Sequence, residues 1–270
     1  MWHKLKLSTS SALVTGAGNG MGRELVIELI KKGSKVSALD IDGVALEETK
    51  RLAGATDLNF KALVVDITDA QMVASLPALI AKEFTPINLI INNAGVIQPF
   101  VRINQLKKEQ AEKVMQINFF GPLNLIKAFL PSLLEMKSAH IVNTSSMGAY
   151  TPVPGQSLYG ASKAALAALT AGLRSELIET NVAVTTVYPG AIATNIASNS
   201  GIDLSNMDVS SSKIKMTSSK KAAQLILNAV EKNKAQVFIG KDAKLMNFLT
   251  RLNPLFAAKL IQKQMKDLLK

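Results

Sequence analysis

A glycine-rich segment near the N-terminus, Thr-Gly-Ala-Gly-Asn-Gly-Met-Gly over residues 15–22, constrains the fold of this chain more than any other feature. It follows an apolar, strand-like run at residues 12–14 and precedes a helix-like stretch at residues 23–32. A strand, a glycine turn and a helix N-terminus in this order favour dinucleotide binding, because the glycines allow a pyrophosphate to approach closely and the helix N-terminus favours its charge. The sequence therefore predicts an α/β nucleotide-binding domain.

Strand-like and helix-like segments then alternate until about residue 194 without a compositional break. Later strands are predicted at residues 87–91, 139–143, 182–188 and 236–239, and helices at residues 109–129, 158–180 and 219–232. Apolar strands bounded by amphipathic helices imply a doubly wound parallel sheet. We expect one Rossmann-fold α/β domain over residues 8–240, followed by a helical C-terminal extension over residues 241–270.

Length and composition restrict the class of protein. A chain of 270 residues can bury one sizeable core, and the absence of cysteine excludes disulfides and thiolate metal sites. The two histidines, His3 and His140, lie far apart in sequence, so no metal site is expected. No apolar run reaches the ~18 residues of a membrane span and no signal-peptide core precedes the first strand. These features predict a cytoplasmic protein.

Tyr159 and Lys163 are four residues apart, and Ser146 lies thirteen residues before Tyr159. In a helix such a pair shares one face, where a fixed ammonium would lower the pKa of the phenol from its usual ~10. This predicts that Tyr159 is a general acid/base for carbonyl and alcohol chemistry, with Ser146 holding the substrate oxygen.

The predicted second strand, residues 35–39, ends in Asp40, about 20 residues beyond the glycines. A carboxylate at this position can accept a hydrogen bond from the ribose 2′-hydroxyl of a dinucleotide. No Lys or Arg directly follows Asp40, and the glycine turn has no basic residue before Arg23. The sequence therefore favours NAD over NADP as the cofactor.

Further motifs follow the predicted strands in order. They are Asn92-Asn93-Ala94-Gly95 after residues 89–91, Asn118 in Ile-Asn-Phe-Phe-Gly, Ser146 in Asn-Thr-Ser-Ser-Met-Gly, Pro189-Gly190 with Thr194, and Asp66 after residues 62–65. Together with TGxxxGxG and YxxxK, they resemble the motifs of the short-chain dehydrogenase/reductase family over roughly residues 10–240.

The resemblance implies roles for individual residues. Tyr159 would exchange a proton with the substrate oxygen, Lys163 would lower the tyrosine pKa and hold the nicotinamide ribose, and Ser146 would orient the oxygen. Asn118 would hold a water that links Lys163 to bulk solvent; its alternative is a helix amide bonded to backbone. The residues expected to bind the cofactor are Gly16, Asn19, Gly20, Met21, Gly22, Asp40, Asp66, Ile67, Asn93, Ala94, Gly95, Tyr159, Lys163, Pro189, Gly190, Ile192 and Thr194.

Residues 195–219, rich in Ser, Asn and Met, follow the Pro189-Gly190 motif and predict a mobile lid over the substrate, or else an ordinary surface loop. The candidate pocket residues are mostly apolar, which indicates a hydrophobic alcohol or ketone as the substrate. They are Met147, Ala149, Tyr150, Val153, Pro154 and Gln156, with Val96, Ile97 and Gln98 facing them.

Positive charge is concentrated at the C-terminal end. Residues 213–270 contain 13 Lys and Arg against 3 Asp and Glu, which accounts for +10 of the net charge of +11. Pro254 divides the extension into two predicted helices that interleave apolar and basic residues. They could lie on an anionic membrane or form an arm covering an apolar surface of this subunit or a partner. Nucleic acid is not expected as a partner, because aromatic residues are sparse and the basic residues form no dense patch.

The leading hypothesis is an NAD-dependent oxidoreductase that interconverts a hydrophobic secondary alcohol and its ketone. Two alternatives are an NADP(H)-dependent carbonyl or 3-oxoacyl thioester reductase, and a non-catalytic dinucleotide-binding redox sensor. The intact set of Ser146, Tyr159, Lys163 and Asn118 argues against the sensor, which needs no proton chemistry. The resemblance further implies a homodimer that pairs through residues 109–129 and 158–180, with a tetramer as an open alternative.

Overall fold

The computed structural model describes residues 4–194, 196–202 and 216–264. Its strands are β1 Ser11–Thr15, β2 Lys35–Asp40, β3 Phe60–Val64, β4 Leu89–Asn92, β5 Ala139–Thr144, β6 Val182–Pro189, β7 Ile192–Ala193, β8 Thr217–Ser218 and β9 Gln236–Ile239. Seven of them form one parallel sheet in the order β3-β2-β1-β4-β5-β6-β9, while β7 and β8 pair separately. The predicted doubly wound parallel sheet is confirmed.

Helices connect the strands and cover both faces of the sheet. They are α1 Gly20–Lys31, α2 Gly43–Ala53, α3 Ala70–Glu83, α4 Lys108–Met115, α5 Gly121–Leu134, α6 Ser157–Glu176, α7 Ile196–Asn199, α8 Ser219–Glu231, α9 Lys241–Leu252 and α10 Pro254–Gln264. A π-helical turn, Gln116–Phe120, joins α4 to α5. The predicted helices at residues 109–129, 158–180 and 219–232 correspond to α4–α5, α6 and α8.

Two hydrophobic clusters, one on each face, explain why the strands read as continuous apolar runs. In β4, Leu89 and Ile91 join the cluster that contains α1 and α8, whereas Ile90 joins the cluster that contains α3 and α5. Side chains alternate between the faces of a strand, so a strand buried on both faces must be apolar at every position.

The continuous helical stretch Lys108–Leu134 corrects one expectation from the sequence. By length and composition alone it is long and apolar enough to cross a membrane, although no such run was expected. Its side chains Leu125, Phe129 and Leu133 are buried against the sheet, although less than half of its most apolar 18 residues are buried. Packing against the sheet accounts for the apolar residues on the inner side of this helix.

The C-terminal helices α9 and α10 pack on the rest of the domain. Met246, Ala257 and Ile261 form a buried cluster, against which Met147, Tyr150 and Val153 pack. The break at Pro254 lies between the two helices, where it was predicted. The helix pair is therefore an arm whose inner side covers an apolar surface of the same subunit.

Candidate active site

A cleft of about 680 Å³ lies beyond the carboxyl ends of the central strands. Of the predicted cofactor and catalytic residues, all but Gly22 and Asn118 line it: Gly16, Asn19, Gly20, Met21, Asp40, Asp66, Ile67, Asn93, Ala94, Gly95, Ser146, Tyr159, Lys163, Pro189, Gly190, Ile192 and Thr194. Strands β1 and β4 are neighbours in the sheet, and the chain continues outward from them in opposite directions. Ligands of open α/β sheets bind at such a switch point.

The glycine turn after β1 leaves room for a ligand because several of its positions cannot carry a side chain. Gly16 and Gly20 have φ values of +64° and +52°, a region that favours glycine. A Cβ on Gly22 would overlap the carbonyl oxygen of Gly16, so the helix starts directly against the turn. Thr194 faces Gly20, and a Cβ on that glycine would lie 3.4 Å from the threonine Cβ. This cradle fits the pyrophosphate of a dinucleotide, bound at the N-terminus of α1.

Asp40 braces the same turn from the end of β2. Its Oδ2 accepts a hydrogen bond from the Gly18 N–H at 2.8 Å, and its Oδ1 accepts one from the Asp42 N–H at 3.2 Å. The guanidinium of Arg23 donates to the Gly18 carbonyl and to the Thr49 hydroxyl, so it is engaged within the turn. Asp40 thus lies at the cleft with its carboxylate oriented by backbone amides.

Charge along the described part of the cleft is asymmetric. Asp40, Asp42 and Asp66 supply three carboxylates, and Lys113 and Lys163 are the basic residues among the described lining. Lys163 is buried beside Thr144, whose carbonyl accepts from its ammonium at 2.9 Å. The end of the cleft near Asp40 is therefore acidic.

The Asn93–Gly95 loop is held to β1 by Thr15. The Thr15 hydroxyl oxygen accepts from the Asn93 and Ala94 N–H groups at 3.0 Å each, and the Asn93 side-chain amide donates to the Thr15 carbonyl at 3.0 Å. A Cβ on Gly95 would lie 3.0 Å from Lys163 Nζ and 3.1 Å from Asn118 Oδ1. Glycine at position 95 therefore gives these two predicted catalytic side chains the space they occupy.

The predicted catalytic side chains converge from β5 and α6. Ser146 follows β5, and its Oγ accepts from the Gly148 N–H at 3.0 Å and is hydrogen-bonded to the Tyr159 phenol. Tyr159 and Lys163 lie one turn apart on α6. Ser145 does not share this role, since its hydroxyl donates to the Lys163 carbonyl at 2.8 Å and ties α6 to the end of β5.

The pKa of Tyr159 moves in the direction opposite to the one expected from the sequence. Burial raises the pKa of the phenol, and the hydrogen bond from Ser146 opposes that rise only in part. Burial also lowers the pKa of Lys163 to about 8. Desolvation disfavours both charged forms, and the sequence spacing of Tyr159 and Lys163 contains no information about that burial.

Asn118 lies beside the cleft within the π-helical turn. Its Oδ1 accepts from the Val96 N–H at 2.9 Å, and its Nδ2 donates to the Val96 carbonyl at 2.9 Å and to Ser162 Oγ at 3.0 Å. The Asn118 amide is thus hydrogen-bonded to the backbone of Val96, which is the alternative to a water-holding role. Pro122 has no N–H to donate to the Asn118 carbonyl four residues earlier, so the regular helical bond is lost here. A water-holding role for Asn118 stays a prediction.

Gln98 caps α6, the helix of Tyr159 and Lys163, a role that the sequence did not reveal. Its Oε1 accepts from the Leu158 and Tyr159 N–H groups at 2.8 and 2.9 Å, and its Nε2 donates to the Gly155 carbonyl at 2.8 Å. These amides are at the start of α6, where backbone donors have no partner within the helix. Gln98 was expected in the substrate pocket, but it is buried and its polar atoms are engaged by the backbone.

The substrate end of the cleft differs from the predicted pocket. Val96 and Ile97 line it as expected, together with Ile117, Ala191 and Ile196, which the sequence did not single out. The other candidates do not line the described cleft. Met147, Tyr150 and Val153 pack against the C-terminal helices, Gln156 is buried and donates to the Gln98 carbonyl, and Ala149 and Pro154 lie outside the lining. The apolar lining is consistent with a hydrophobic substrate.

The predicted lid, residues 195–219, falls mostly outside the described residues. Within the described portion, Ile196 and Asn199 of α7 line the cleft, and Ser200 Oγ accepts from the Ile97 N–H at 3.0 Å. The segment after Pro189-Gly190 therefore borders the substrate end of the cleft at least as far as Ser200.

Asp242, at the start of α9, is a second residue that the sequence did not indicate. Its Oδ2 accepts from the Ala191 N–H at 2.6 Å, and a Cβ on Gly190 would overlap this carboxylate. Tyr150, close to Ser146 in sequence, donates from its hydroxyl to the Ala243 carbonyl at 2.7 Å. The C-terminal helices thus support the loop that forms one wall of the cleft.

Among the described residues, no cluster of three or more His, Asp or Glu could hold a metal ion.

Comparison with known proteins identifies similar chains. A family model described as short chain dehydrogenase matches residues 10–204. SadH of Mycobacterium tuberculosis, an oxidoreductase by name, is 33% identical over 248 residues, covering 89% of this chain and 90% of that protein. A short chain dehydrogenase from Burkholderia cenocepacia in complex with NADP has a TM-score of 0.79 at 27% identity, over 95% of this chain and 99% of that chain. A short chain dehydrogenase/reductase from Burkholderia phymatum in complex with NAD has a TM-score of 0.80 at 23% identity, over 92% and 96% of the two chains, a likeness of fold.

Proposed function

Because this chain belongs to the short-chain dehydrogenase/reductase family, whose members are NAD(P)-dependent oxidoreductases, we propose that it uses NAD to interconvert a hydrophobic secondary alcohol and its ketone. The observation that carries the proposal is the convergence of Ser146, Tyr159 and Lys163 at the same cleft as the glycine cradle. A dinucleotide sensor would need the cradle and none of the proton chemistry.

The protein's part in the reaction is to position the substrate oxygen and to move one proton. A bound nicotinamide would supply the hydride acceptor or donor. In the direction of reduction, the Tyr159 phenol donates its proton to the carbonyl oxygen as that oxygen gains negative charge. Ser146 Oγ accepts from the Gly148 N–H, which leaves its own proton for the substrate oxygen or the phenol. Lys163 places a positive charge near the phenolate that forms.

The preference for NAD rests on the acidic end of the cleft. A ribose 2′-hydroxyl can donate to Asp40, whereas a 2′-phosphate there would meet carboxylates at Asp40 and Asp42. At a separation of about 4 Å, such repulsion costs from about 1 kcal/mol in water to about 4 kcal/mol near a protein surface. NAD is therefore expected to bind at least about fivefold more tightly than NADP.

The test is a calorimetric titration of both cofactors into the unmodified protein and into Asp40→Asn. This variant keeps an oxygen that can accept from Gly18 and removes the charge, so the ratio of the NADP Kd to the NAD Kd should fall at least about fivefold. Asp57→Ala is the matched control, because it also removes one carboxylate. Asp57 is exposed, pairs with Lys50 and does not line the cleft as described. Tighter binding of NADP to the unmodified protein would refute the NAD assignment and favour the NADP(H)-dependent carbonyl or 3-oxoacyl thioester reductase.

The substrate class is tested by supplying NAD with a series of lipophilic secondary alcohols and measuring the absorbance of the reduced cofactor. Turnover should increase with the apolar surface of the alcohol, because Val96, Ile97 and Ile196 line the cleft. Turnover confined to small polar alcohols would contradict the proposal. A homodimer paired through α4–α5 and α6, and a cytoplasmic location, remain expectations from the family resemblance and the sequence.

A further inference from the structure

The two C-terminal helices present an apolar face that their packing on the domain does not use. On α9, Ala243 and Met246 point inward and are buried. Leu245, Phe248 and Leu252 lie three and four residues apart on the opposite side, with exposed fractions of 53%, 60% and 68%. Leu255 and Phe256 extend the apolar surface onto the first turn of α10, at 64% and 53% exposure. We call these five side chains the outer face.

Basic residues surround the outer face. Lys241, Lys244, Arg251, Lys259 and Lys263 are all exposed, and none forms an ion pair with an acidic residue in the described part of the chain. The acidic residue of this helix pair is Asp242, whose carboxylate is occupied by the Ala191 N–H. The outer face therefore combines exposed apolar side chains with five basic residues that pair with no acidic residue in the described part of the chain.

We propose that the outer face of α9 and α10 docks on an anionic lipid surface. Apolar side chains ringed by lysine and arginine suit the boundary between lipid headgroups and acyl chains. Each basic residue near an anionic surface contributes about 1 kcal/mol, whereas scattered exposed apolar residues alone would not select such a surface. The inner faces of both helices are packed on protein, so docking requires no unfolding of the domain.

Charge also decides between a lipid surface and a second copy of this chain. A two-fold interface would place the same basic patch on both partners, so like charges would be brought together around the apolar centre. An anionic bilayer supplies the opposite charge and accepts the apolar side chains at the same time. The proposal does not depend on the substrate or the reaction, so it stands or falls separately from the proposed enzymatic function.

The experiment is co-sedimentation of the full-length protein with vesicles of phosphatidylcholine alone and of phosphatidylcholine mixed with phosphatidylglycerol. The protein should sediment with the mixed vesicles, remain in solution with the neutral ones, and lose binding as salt is raised. Lys244→Gln with Arg251→Gln should lower the partition coefficient about 30-fold, the effect of removing two such charges. Phe248→Ser with Leu252→Ser should lower it more than about tenfold.

Matched controls separate this surface from general charge and hydrophobicity. Val44→Ser with Leu58→Ser removes two apolar side chains that are more exposed than Phe248 and Leu252 and lie at the opposite edge of the domain. Lys82→Gln with Lys137→Gln removes two exposed charges elsewhere. Both controls should bind like the unmodified protein, and light scattering should give the same mass for all variants. Absence of the unmodified protein from the mixed-vesicle pellet at low salt would overturn the proposal. So would unchanged binding of the outer-face variants, or a change in their oligomeric mass without vesicle binding by any form.

Discussion

In the structure, Gln98 caps the start of α6, and Gln98→Met tests that capping role. Methionine has nearly the same size and shape as glutamine and no strong hydrogen-bonding group, so it fills the space that the Gln98 side chain occupies. The change removes the acceptor for two backbone N–H groups, at Leu158 and Tyr159, and the donor to the Gly155 carbonyl. Gln98 is only 1% exposed, so water cannot readily replace these bonds.

The expected loss of stability follows from those three bonds. Removal of a helix N-cap costs about 0.5–2 kcal/mol, and each buried backbone group left without a partner costs about 1–3 kcal/mol. Because the loosened helix end can recover part of this by local adjustment, we expect a loss of about 3 kcal/mol. For a domain of this size that corresponds to a decrease in Tm of roughly 6–12 °C.

The assay is thermal and urea unfolding of the unmodified protein, Gln98→Met and Gln156→Met. Gln156 is the control, because it is buried in the same place but donates one bond, to the Gln98 carbonyl, while its Oε1 has no partner. Its substitution should cost only about 1 kcal/mol. Gln98→Met should also lower kcat about tenfold with NAD affinity nearly unchanged, since the capped turn carries Tyr159 and not the glycine cradle. Equal unfolding midpoints for the two variants would refute the capping argument.

Two further predictions concern the proton-transfer groups. Tyr159→Phe should reduce turnover to near background while NAD still binds. Lys163→Met should lower both turnover and NAD affinity. Near-normal turnover of Tyr159→Phe on an identified substrate would exclude the mechanism. Burial lowers the pKa of Lys163 from 10.5 to about 8, so the unfolded chain holds this proton to higher pH than the folded protein. The resulting penalty is fully present below about pH 8, and its relief should raise stability by about 2 kcal/mol between about pH 7.5 and about pH 9.5. Urea unfolding should show that rise in the unmodified protein and not in Lys163→Met.

The sequence predicted the fold and the location of the site because both depend on local patterns. Strands such as β4 are apolar at every position since they are buried on both faces, and the glycines of the turn are dictated by backbone geometry within eight residues. Residues that directly follow parallel strands must meet at one edge of the sheet. Asp40, Asn93, Ser146 and Gly190 therefore line one cleft, as their positions in the chain required.

Only the tertiary structure decided which side chains support that cleft and in which direction the pKa values of Tyr159 and Lys163 shift. Gln98 is about 60 residues from the helix that it caps, and Asp242 about 50 from the loop that it holds. Nothing in the local sequence around either residue records its partner. The candidates Met147, Tyr150 and Val153 are apolar as a pocket would be, but the pairing of α9 and α10 with them turns them into core.

The difference between local and long-range information also explains why the sequence predicted the position of Tyr159 correctly and the direction of its pKa shift wrongly. The spacing of Tyr159 and Lys163 placed them one turn apart on α6, because the period of a helix is a local property. The direction of the Tyr159 pKa depends on how much water the surrounding elements exclude from the phenol, and the local sequence does not record that burial. The sequence thus determined which groups meet at the site, and the packing of distant segments determined their protonation, their support and the basic apolar face left exposed at the C-terminal end.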